Sequence, residues 1–257
     1  MYLADILAQL QSGAETHRIT IPQNWLQGRT CYGGLSTALA YQAAKLVGDD
    51  LPPLNSAQIA FAGPLSGEVE ITASILRRGR NTAFVKSEIR SGNETGLSCT
   101  FIFKSSRDSH VNYSNVEKPE IGDLPDENDL RSGPPEFFTS NMHYTGKRLE
   151  MGQGTPRLSG WQRIIERDGL DPIAELLCIG DALPPSAMGL MTEKGMVSSM
   201  NWQLNVLTES PSTKDGWWYL DSLTHHAAHG ASSQFMNVCS ADGTPVMTGM
   251  QSVAIFS

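Results

Sequence analysis

An internal repeat is the feature that most constrains this chain, because a repeat imposes one folding pattern twice. The segment IRSGNETGLSCTFIFK in the first half can be laid over VCSADGTPVMTGMQSVAIFS at the end of the second. Each segment has the pattern of two strands joined by a tight turn, and each comes after one apolar helix and further strands. The sequence therefore predicts a duplicated α+β unit, with one helix and a run of antiparallel strands in each copy.

The first copy contains an Ala-rich helix followed only by strands. Residues 35–47 are apolar on several faces, which is typical of a buried helix. A short amphipathic helix at 1–12 and a strand at 17–21 precede it. Period-two alternation predicts the strands that follow it at 56–61, 68–77, 82–91 and 96–104.

The second copy repeats this order after a change in composition. Residues 106–150 are rich in Pro, Asp and Glu and lose periodicity, which indicates an ordered linker over the surface. Disorder is the alternative, but Phe137, Phe138, Met142 and Tyr144 favour burial. We therefore divide the chain into residues 1–105, a linker at 106–150, and residues 151–257. The elements predicted in the last part are a strand at 158–166, an apolar helix at 172–188 broken or kinked at Pro184-Pro185, and strands at 196–206, 217–224, 231–240 and 245–256.

Composition excludes several classes of protein. The net charge of −8 argues against a nucleic-acid surface, which needs a basic stripe. No apolar run approaches the roughly 20 residues that span a bilayer, and the segment MYLADILAQLQSG lacks the basic cluster of a secretory signal. The four cysteines are scattered without a CxxC pair, which indicates reduced thiols in a cytoplasmic protein.

The last predicted strand carries an amide in an apolar setting. Asp242-Gly243 between alternating runs predicts a hairpin turn over residues 241–244. Both faces of the following strand are largely apolar, so we expect an interior strand covered on both sides. Gln251 then needs hydrogen-bond partners, because buried polar groups are costly without them. It is either a satisfied structural amide or part of a site. One face of this strand holds Met247, Gly249, Gln251, Val253 and Ile255.

Several short motifs occur in an order that resembles one known family. They are GRTCYGG before the first helix, Pro-Pro-Glu in the linker, GDALPP in the second helical region, and DGTPV…QSVAIF at the end. Together they cover nearly the whole chain and are similar to the thioesterase II family of acyl-CoA thioesterases. The resemblance implies a tandem (double) hot dog fold, in which two long buried helices are each wrapped by a curved antiparallel sheet. It also implies that the substrate is acyl-CoA.

The same resemblance implies three catalytic residues. The family uses an Asp on the second central helix, a Thr or Ser that opens the following strand, and a Gln on the last strand. These positions match Asp181, Ser199 and Gln251, with Ser198 as the alternative hydroxyl one residue away. An Asp before Pro-Pro is also a good helix N-cap, so a capping role is the alternative for Asp181.

The residue types suit hydrolysis by a directly attacking water. A carboxylate placed mid-helix among apolar residues has a raised pKa if it is buried, which suits a general base. In this interpretation Gln251 holds the water while Asp181 takes its proton. The loop Tyr32-Gly33-Gly34 before the first helix is the candidate oxyanion and substrate-binding segment, since helix N-termini offer backbone N–H donors. The family's pseudo-twofold symmetry brings this loop near the second half's site.

Three histidines near the C-terminus suggest a metal site. His225 and His229 would align on a helix, but the stretch around them has the pattern of a strand or turn, and no carboxylate lies at a useful spacing. A surface or interface role, close to bound CoA or at a subunit contact, is the alternative for these two and for His226. We expect neither a metal nor an organic cofactor.

Two further groups bear on partners. Arg77, Arg78 and Arg80 cluster at a predicted hairpin tip, which is either a solvated turn or a contact for the CoA phosphates. Open sheet edges are liabilities, so we expect a homo-oligomer. The apolar area for that contact is predicted to come from Trp202, Trp217 and Trp218, of which the last two can equally lie in the core.

Two alternative functions stay open on the sequence. A hot dog hydratase or dehydratase would need a catalytic His paired with an Asp at the start of a helix, and neither predicted central helix contains a His. A catalytically silent acyl-CoA or acyl-carrier binding protein would not need Asp181, Ser199 and Gln251 together. Acyl-CoA hydrolysis is the function that these residues favour.

Overall fold

The computed structural model describes residues 1–145 and 152–256. Residues 146–150 of the predicted linker, together with 151 and 257 of the predicted C-terminal part, lie outside the described residues. Three α-helices are present in the described chain: α1 (Leu3–Leu7), α2 (Gly33–Lys45) and α3 (Pro172–Gly180). The strands of the first half are β1 (Thr16–Thr20), β2 (Leu26–Gln27), β3 (Thr30–Cys31), β4 (Leu54–Phe61), β5 (Glu68–Arg78), β6 (Thr82–Ser91) and β7 (Glu94–Lys104). Those that follow are β8 (Met142–Tyr144), β9 (Arg157–Ile164), β10 (Met196–Val206), β11 (Trp218–Ala228), β12 (Ala231–Cys239) and β13 (Pro245–Phe256).

Eleven of the strands form one continuous antiparallel sheet. Its order is β1-β5-β6-β7-β4-β10-β13-β12-β11-β9-β8, and the short strands β2 and β3 pair separately. From the central β4–β10 pair outward, both halves follow the same order, with the last strand of each unit beside its first. The predicted duplication of one helix followed by four strands is therefore present in the topology.

The helices lie against this sheet because their side chains are apolar nearly all round. Ten of the thirteen residues of α2 are buried, and the helix packs on β5, β6, β7 and α3. Helix α3 begins at the Asp171 side chain, which accepts from the N–H groups of Ile173 and Ala174, with Pro172 in its first turn. Lys45 in the last turn of α2 pairs with the same Asp171 at 2.6 Å, which ties the two helices together.

The second predicted helix is shorter than expected, and this corrects the prediction of two long helices. Helix α3 has nine residues and ends at Gly180, and a separate 3-10 helix, Ser186–Leu190, follows Pro184-Pro185. A proline cannot continue an α-helix, because its ring clashes with the preceding turn and it lacks an N–H. Asp181 is therefore the C-cap residue of α3 rather than a mid-helix residue.

The predicted linker joins the sheet through the later part of its described residues. It contains two 3-10 helices, Glu127–Asp129 and Phe138–Asn141, and ends in β8, which pairs with β9. Phe138 and Met142 are buried, and the Phe138 ring stacks on Tyr32 with ring centroids 3.9 Å apart. These apolar side chains hold the segment on the body of the protein, as their burial tendency predicts.

Two predicted surfaces differ from the structure. Trp202, Trp217 and Trp218 are all buried, so they supply no exposed area for a subunit contact. Strand β13 lies inside the sheet as predicted, but only its inner face is covered, since Met250 and Phe256 on the outer face are exposed. All four cysteines are free and buried. Among the described residues, no helix has the length and apolarity to span a bilayer.

Candidate active site

The start of α2 meets the end of α3, and two glycines permit this approach. A Cβ atom on Gly34 would lie 2.2 Å from the carbonyl oxygen of Cys178, and one on Gly33 would lie 2.4 Å from Oδ2 of Asp181. No side chain fits at either position without movement. The Gly-Gly pair therefore brings the N-terminus of the first-half helix against the carboxylate of the second half, as the pseudo-twofold relation predicts.

Asp181 occupies the C-cap of α3 and lines a cleft. Its Oδ1 accepts a 2.6 Å hydrogen bond from Nε2 of Gln251, and the backbone N–H of Gly34 also donates to the carboxylate. Burial raises the pKa of Asp181 to about 7, against the opposing effect of these two donors. The 3-10 helix Ser186–Leu190 has Pro185 as its N-cap residue and no side-chain cap, so the N-cap alternative for Asp181 is wrong.

Gln251 lies on the inner face of β13, with its side chain 2% exposed. The buried face of β13 holds Met247, Gln251 and Val253, and strand alternation therefore points the Gln251 side chain toward the end of α3. Its Oε1 accepts from Nε2 of Gln234 at 3.0 Å and from Oγ of Ser199 at 3.4 Å. The amide is thus fully embedded between a carboxylate, a second amide and a hydroxyl.

The two candidate hydroxyls differ in what they reach. A β-bulge between Ser199 and Asn201 shifts the β10–β13 register and turns the Ser199 side chain toward Gln251. Ser198 also lines the cleft. No hydrogen bond in the described part of the chain links Ser198 to Asp181 or Gln251. The structure therefore brings Ser199, and not Ser198, into contact with the carboxylate–amide pair.

A buried polar chain behind Gln251 was not anticipated from the sequence. The Oε1 of Gln234 accepts from the backbone N–H of Ser186 at 3.0 Å and from its Oγ at 3.2 Å. That hydroxyl also bonds Oγ1 of Thr224 at 2.8 Å and accepts from Oγ of Ser222 at 3.2 Å. All of these side chains are buried.

One pattern in the sequence indicates part of this hydrogen-bond network. Counting outward from the predicted turn at Ala241 and Thr244, the residues seven positions along each arm are Gln234 and Gln251. The structure pairs these two residues across β12 and β13. The contributions of Ser186 and Thr224 come from a 3-10 helix and from another strand, and no local pattern indicates them.

The cleft in front of Asp181 has a volume of about 360 Å³ and is built by both halves. Gln27, Thr30 and Cys31 of the first half also line it. Burial raises the pKa of the Cys31 thiol, which keeps it protonated and unsuited to act as a nucleophile. The apolar walls are formed by Phe61, Ala62, Pro64 and Leu65 from the first half and by Leu183, Pro185 and Val197 from the second.

The three residues of the predicted oxyanion loop have different surroundings. Tyr32 is buried, its hydroxyl donates to the carbonyl of Cys178 at 2.6 Å, and its N–H donates to the carbonyl of Trp25. The N–H of Gly34 is engaged by Asp181. Gly33 lies in the first helical turn, where N–H groups have no intrahelical acceptor, and it lines the cleft. Of the three, Gly33 is the residue placed to donate to a ligand.

The arginine cluster lies away from the residues that line the cleft. Arg78 ends β5 and pairs with Asp50 at 2.8 Å. This hairpin tip adjoins the Phe103 end of β7, whereas the cleft adjoins the Leu97 end. Six residues of strand separate the ends by about 20 Å. Arg77 and Arg80 share the same tip, and the contact of this cluster with the CoA phosphates stays a prediction.

The three histidines are exposed and lie outside the cleft. His225 contacts the ring of Phe235 on the outer face of the sheet, and His229 has a φ of 52° in the β11–β12 turn. His226 follows a β-bulge in β11. Within residues 1–145 and 152–256, no group of three or more His, Cys, Asp or Glu side chains is arranged to hold a metal.

Comparisons with solved structures show the fold. A conserved protein of unknown function with a hot dog fold from Alicyclobacillus acidocaldarius superposes with a TM-score of 0.82 at 17% identity, covering 100% of this chain and 99% of that one. A tesB protein from Mycobacterium avium subspecies paratuberculosis gives 0.76 at 16% identity, with 100% of both chains covered. An acyl-CoA thioesterase II, TesB2, from Mycobacterium marinum gives 0.74 at 15% identity, covering 99% and 98%.

Comparisons of the sequence show the family. No curated protein matches the sequence at a significant level. Residues 21–104 match the family described as the acyl-CoA thioesterase N-terminal domain, and residues 117–255 match the acyl-CoA thioesterase C-terminal domain. Both domains occur in their expected order and together account for most of the 257 residues. With both matches, and with hot dog neighbours over its full length, this chain belongs to the thioesterase II family of acyl-CoA thioesterases.

Proposed function

We propose that the protein is an acyl-CoA thioesterase that hydrolyses acyl-CoA to a free acid and CoA. The observation that carries the proposal is Asp181, a carboxylate in the cleft whose pKa is raised to about 7 and which is held at 2.6 Å by Gln251. A group with a pKa near neutrality can both accept a proton from water and return it. Such a base is what thioester hydrolysis by water needs.

The proposed reaction balances without a covalent enzyme intermediate. Asp181 takes a proton from a water molecule while the oxygen of that water bonds to the thioester carbonyl carbon. The carbon–sulfur bond then breaks, and the proton held by Asp181 passes to the departing CoA thiolate. Gln251 has a second N–H on Nε2 that can hold the water, since one of the two donates to Asp181. Ser199 steadies Gln251 through its hydroxyl.

The oxyanion of the tetrahedral intermediate is assigned to the start of α2. The N–H of Gly33 lies in the first helical turn and beside Asp181, where the helix dipole favours negative charge. The apolar cleft wall around Phe61 and Leu183 suits an acyl group. We propose that two hot dog units in tandem, residues 1–105 and 151–257 joined by 106–150, provide this site from both halves.

Release of free thiol from a panel of acyl-CoA esters tests the proposal directly. A thiol reagent reports CoA as it forms, and the enzyme's four cysteines are buried, which keeps the background low. The Asp181→Asn variant is the matched control, because it keeps the size and hydrogen bonding of the side chain. We expect thiol release by the native protein and not by the variant. Equal binding of acyl-CoA by both proteins, with no release by either, would identify a silent binding protein instead.

The proposal includes activity without a metal or organic cofactor. The chemistry is assigned to one carboxylate, one amide and one hydroxyl, which is not a ligand set for a catalytic zinc ion. Activity is therefore expected to survive dialysis against a chelator. Loss on dialysis that zinc restores would contradict this part of the proposal. A cytoplasmic location is proposed on the four free thiols.

We also propose a homo-oligomer, now on a different surface from the tryptophans. Phe235 and Met250 face each other across β12 and β13 on the outer side of the sheet, and they are 46% and 38% exposed. Adjacent exposed apolar side chains on a sheet face are typical of an interaction surface. Light scattering at micromolar concentration is expected to give a multiple of the chain mass, and Phe235→Lys is expected to lower it. A native protein of strictly monomeric mass would contradict the proposal.

A further inference from the structure

We propose that Gln234 is a positioning residue that fixes the orientation of the Gln251 amide at the carboxylate of Asp181. The inference rests on the proposed function for its catalytic consequence but not for its geometry. Gln234 is 1% exposed, lies on β12 opposite Gln251, and bonds it at 3.0 Å. It does not reach the cleft, so any influence on the reaction passes through Gln251.

The orientation of both amides is set by neighbouring groups that can only donate or only accept a hydrogen bond. The backbone N–H of Ser186 can only donate, and it lies 3.0 Å from one end of the Gln234 amide. That end must therefore be oxygen, which turns the NH2 group of Gln234 toward Gln251. The facing atom of Gln251 must then be its oxygen, which turns its own NH2 group toward Asp181.

The other end of this series of hydrogen bonds is a fixed acceptor, whereas Ser186 is a fixed donor. An ionised carboxylate can only accept, and Asp181 receives the NH2 group of Gln251 at 2.6 Å. The fixed donor at Ser186 and the fixed acceptor at Asp181 thus agree on one orientation of both amides. Each amide would flip without cost in a symmetrical setting, and here a flip would place two acceptors or two donors face to face.

The orientation has a consequence for the proton on Asp181. An N–H donor from Gln251 stabilises the ionised carboxylate, whereas the amide oxygen would stabilise the protonated acid. Gln234 therefore favours the base form in which Asp181 can activate water. The other ionisable groups that face Asp181 are Tyr32 and Cys178, and burial raises the pKa of both, so they stay neutral when Asp181 titrates.

The first test measures the Asp181 carboxyl group without any substrate. Its side-chain ¹³C signal, assigned through the Asp181→Asn variant, is titrated by NMR in the native protein and in Gln234→Met. Methionine fills similar volume but offers no donor, so the Asp181 pKa is expected to shift upward. Gln203→Met is the matched control, because Gln203 lies on the outer, exposed face of β10. An unchanged titration in folded Gln234→Met would overturn the proposal.

The second test uses Gln234→Glu and separates positioning from packing. A protonated glutamic acid can accept from Ser186 and donate to Gln251, and an ionised one cannot donate. Native kcat/KM is expected to rise with pH to a plateau, whereas the variant is expected to fall again at high pH. Gln234→Met is expected to lose up to about 10²-fold in kcat/KM through misplacement of Gln251, and the rise of its profile is expected to move to higher pH with the Asp181 pKa. A variant profile with the native shape would show that Gln234 only fills space.

The two tests also separate this inference from the proposed function. If the native protein hydrolyses no acyl-CoA, the proposed function fails, and the NMR titration still decides whether Gln234 sets the state of Asp181. If the native protein is active and both Gln234 variants leave the titration and the pH profile unchanged, the positioning role fails alone. If Gln234→Met does not fold, the Gln234→Glu titration and profile carry the decision.

Discussion

The inner faces of the last hairpins differ between the two halves of the molecule. In β7 the buried side chains include Leu97, Phe101 and Phe103, and Phe101 faces Val85 across the hairpin. In β13 the corresponding surface holds Gln251, which faces Gln234. Helix α2 has no acidic residue in its first turn and a Lys in its last, whereas α3 has Asp181 as its C-cap residue. At this position of the hairpin the first copy has two apolar side chains and the second has two hydrogen-bonded amides.

The difference shows how a duplicated fold can support one site with two unlike contributions. The second half provides the candidate carboxylate, Asp181, the amide of Gln251 that bonds it, and the amide of Gln234 behind it. The first half provides the Gly33-Gly34 helix start and the apolar wall around Phe61. Because polar groups cost stability when buried without partners, the two buried amides of the second half come with a hydrogen-bond network that satisfies them.

Replacing Asp181 by Asn removes the carboxylate that distinguishes the second half from the first. We expect this change to have the largest effect on kcat. Loss of a general base typically lowers kcat on the order of 10²–10⁴-fold. Acyl-CoA binding should be nearly unchanged. A pKa raised on folding means that stability falls as pH rises from 3.8 to about 7, so above pH 7 the variant should melt at or above the native temperature. A kcat within a few-fold of native would place the site elsewhere.

Placing an amide in the apolar half tests the comparison from the other side. Phe101→Gln introduces a buried amide without a hydrogen-bond network like the one around Gln251, and it removes a large buried ring. We expect a loss of about 3–5 kcal/mol in the free energy of unfolding. The kcat of the remaining folded protein should stay native. Denaturant unfolding beside thiol release measures both, and a variant of native stability would show that the first half also tolerates a polar core.

The two glycines at the junction of the halves should separate activity from stability. The added methyl of Gly33→Ala meets the end of the Asp181 side chain, which can move, so kcat is expected to fall on the order of 10²-fold with the fold retained. The methyl of Gly34→Ala meets a backbone carbonyl, so stability is expected to fall by about 1–3 kcal/mol. Thermal melts and kcat are measured for both variants. A stability loss in Gly33→Ala together with an activity loss in Gly34→Ala would contradict this account.

The pH profile of the native protein follows from the site in the second half. In the proposed mechanism Asp181 can act as a base only when it is ionised, and burial raises its pKa to about 7. We expect kcat/KM to be constant at high pH and to fall about tenfold per unit below that value. The Asp181→Asn variant should lack this dependence. A native profile that stays flat down to pH 5 would show that another group supplies the base.

The smallest effect is expected at the two serines. Ser199→Ala removes a 3.4 Å hydrogen bond to Gln251, which is long and therefore weak, so kcat is expected to fall by less than about tenfold. Ser198→Ala, one residue away, should have no measurable effect. Combined with Gln251→Ala, the Ser199 change should add little, because groups acting as a unit lose most of their effect with the first removal. A larger loss at Ser198 would reverse the assignment.

Patterns in the sequence predicted the duplication, the buried helix α2, most strand positions and the hairpin that carries Gln251. These depend on local periodicity and turn chemistry, which any segment expresses by itself. The resemblance to the thioesterase II family supplied Asp181 and Gln251 as catalytic candidates, and the N–H donors of a helix start indicated the Gly33-Gly34 loop. The end of α3 at Gly180 was missed, although Pro184-Pro185 marked it, because a proline signals a boundary only to within several residues.

Tertiary structure alone decided which groups meet. Ser186 and Thr224 reach Gln234 from a 3-10 helix and another strand, and the β10 bulge selects Ser199 over Ser198. The Arg78 tip and the cleft lie at opposite ends of the same strands, a separation that the order of residues does not express. The raised pKa of Asp181 likewise depends on burial by both halves. Hydrogen bonding and desolvation act between groups distant in sequence, so their outcome follows only from the packed chain.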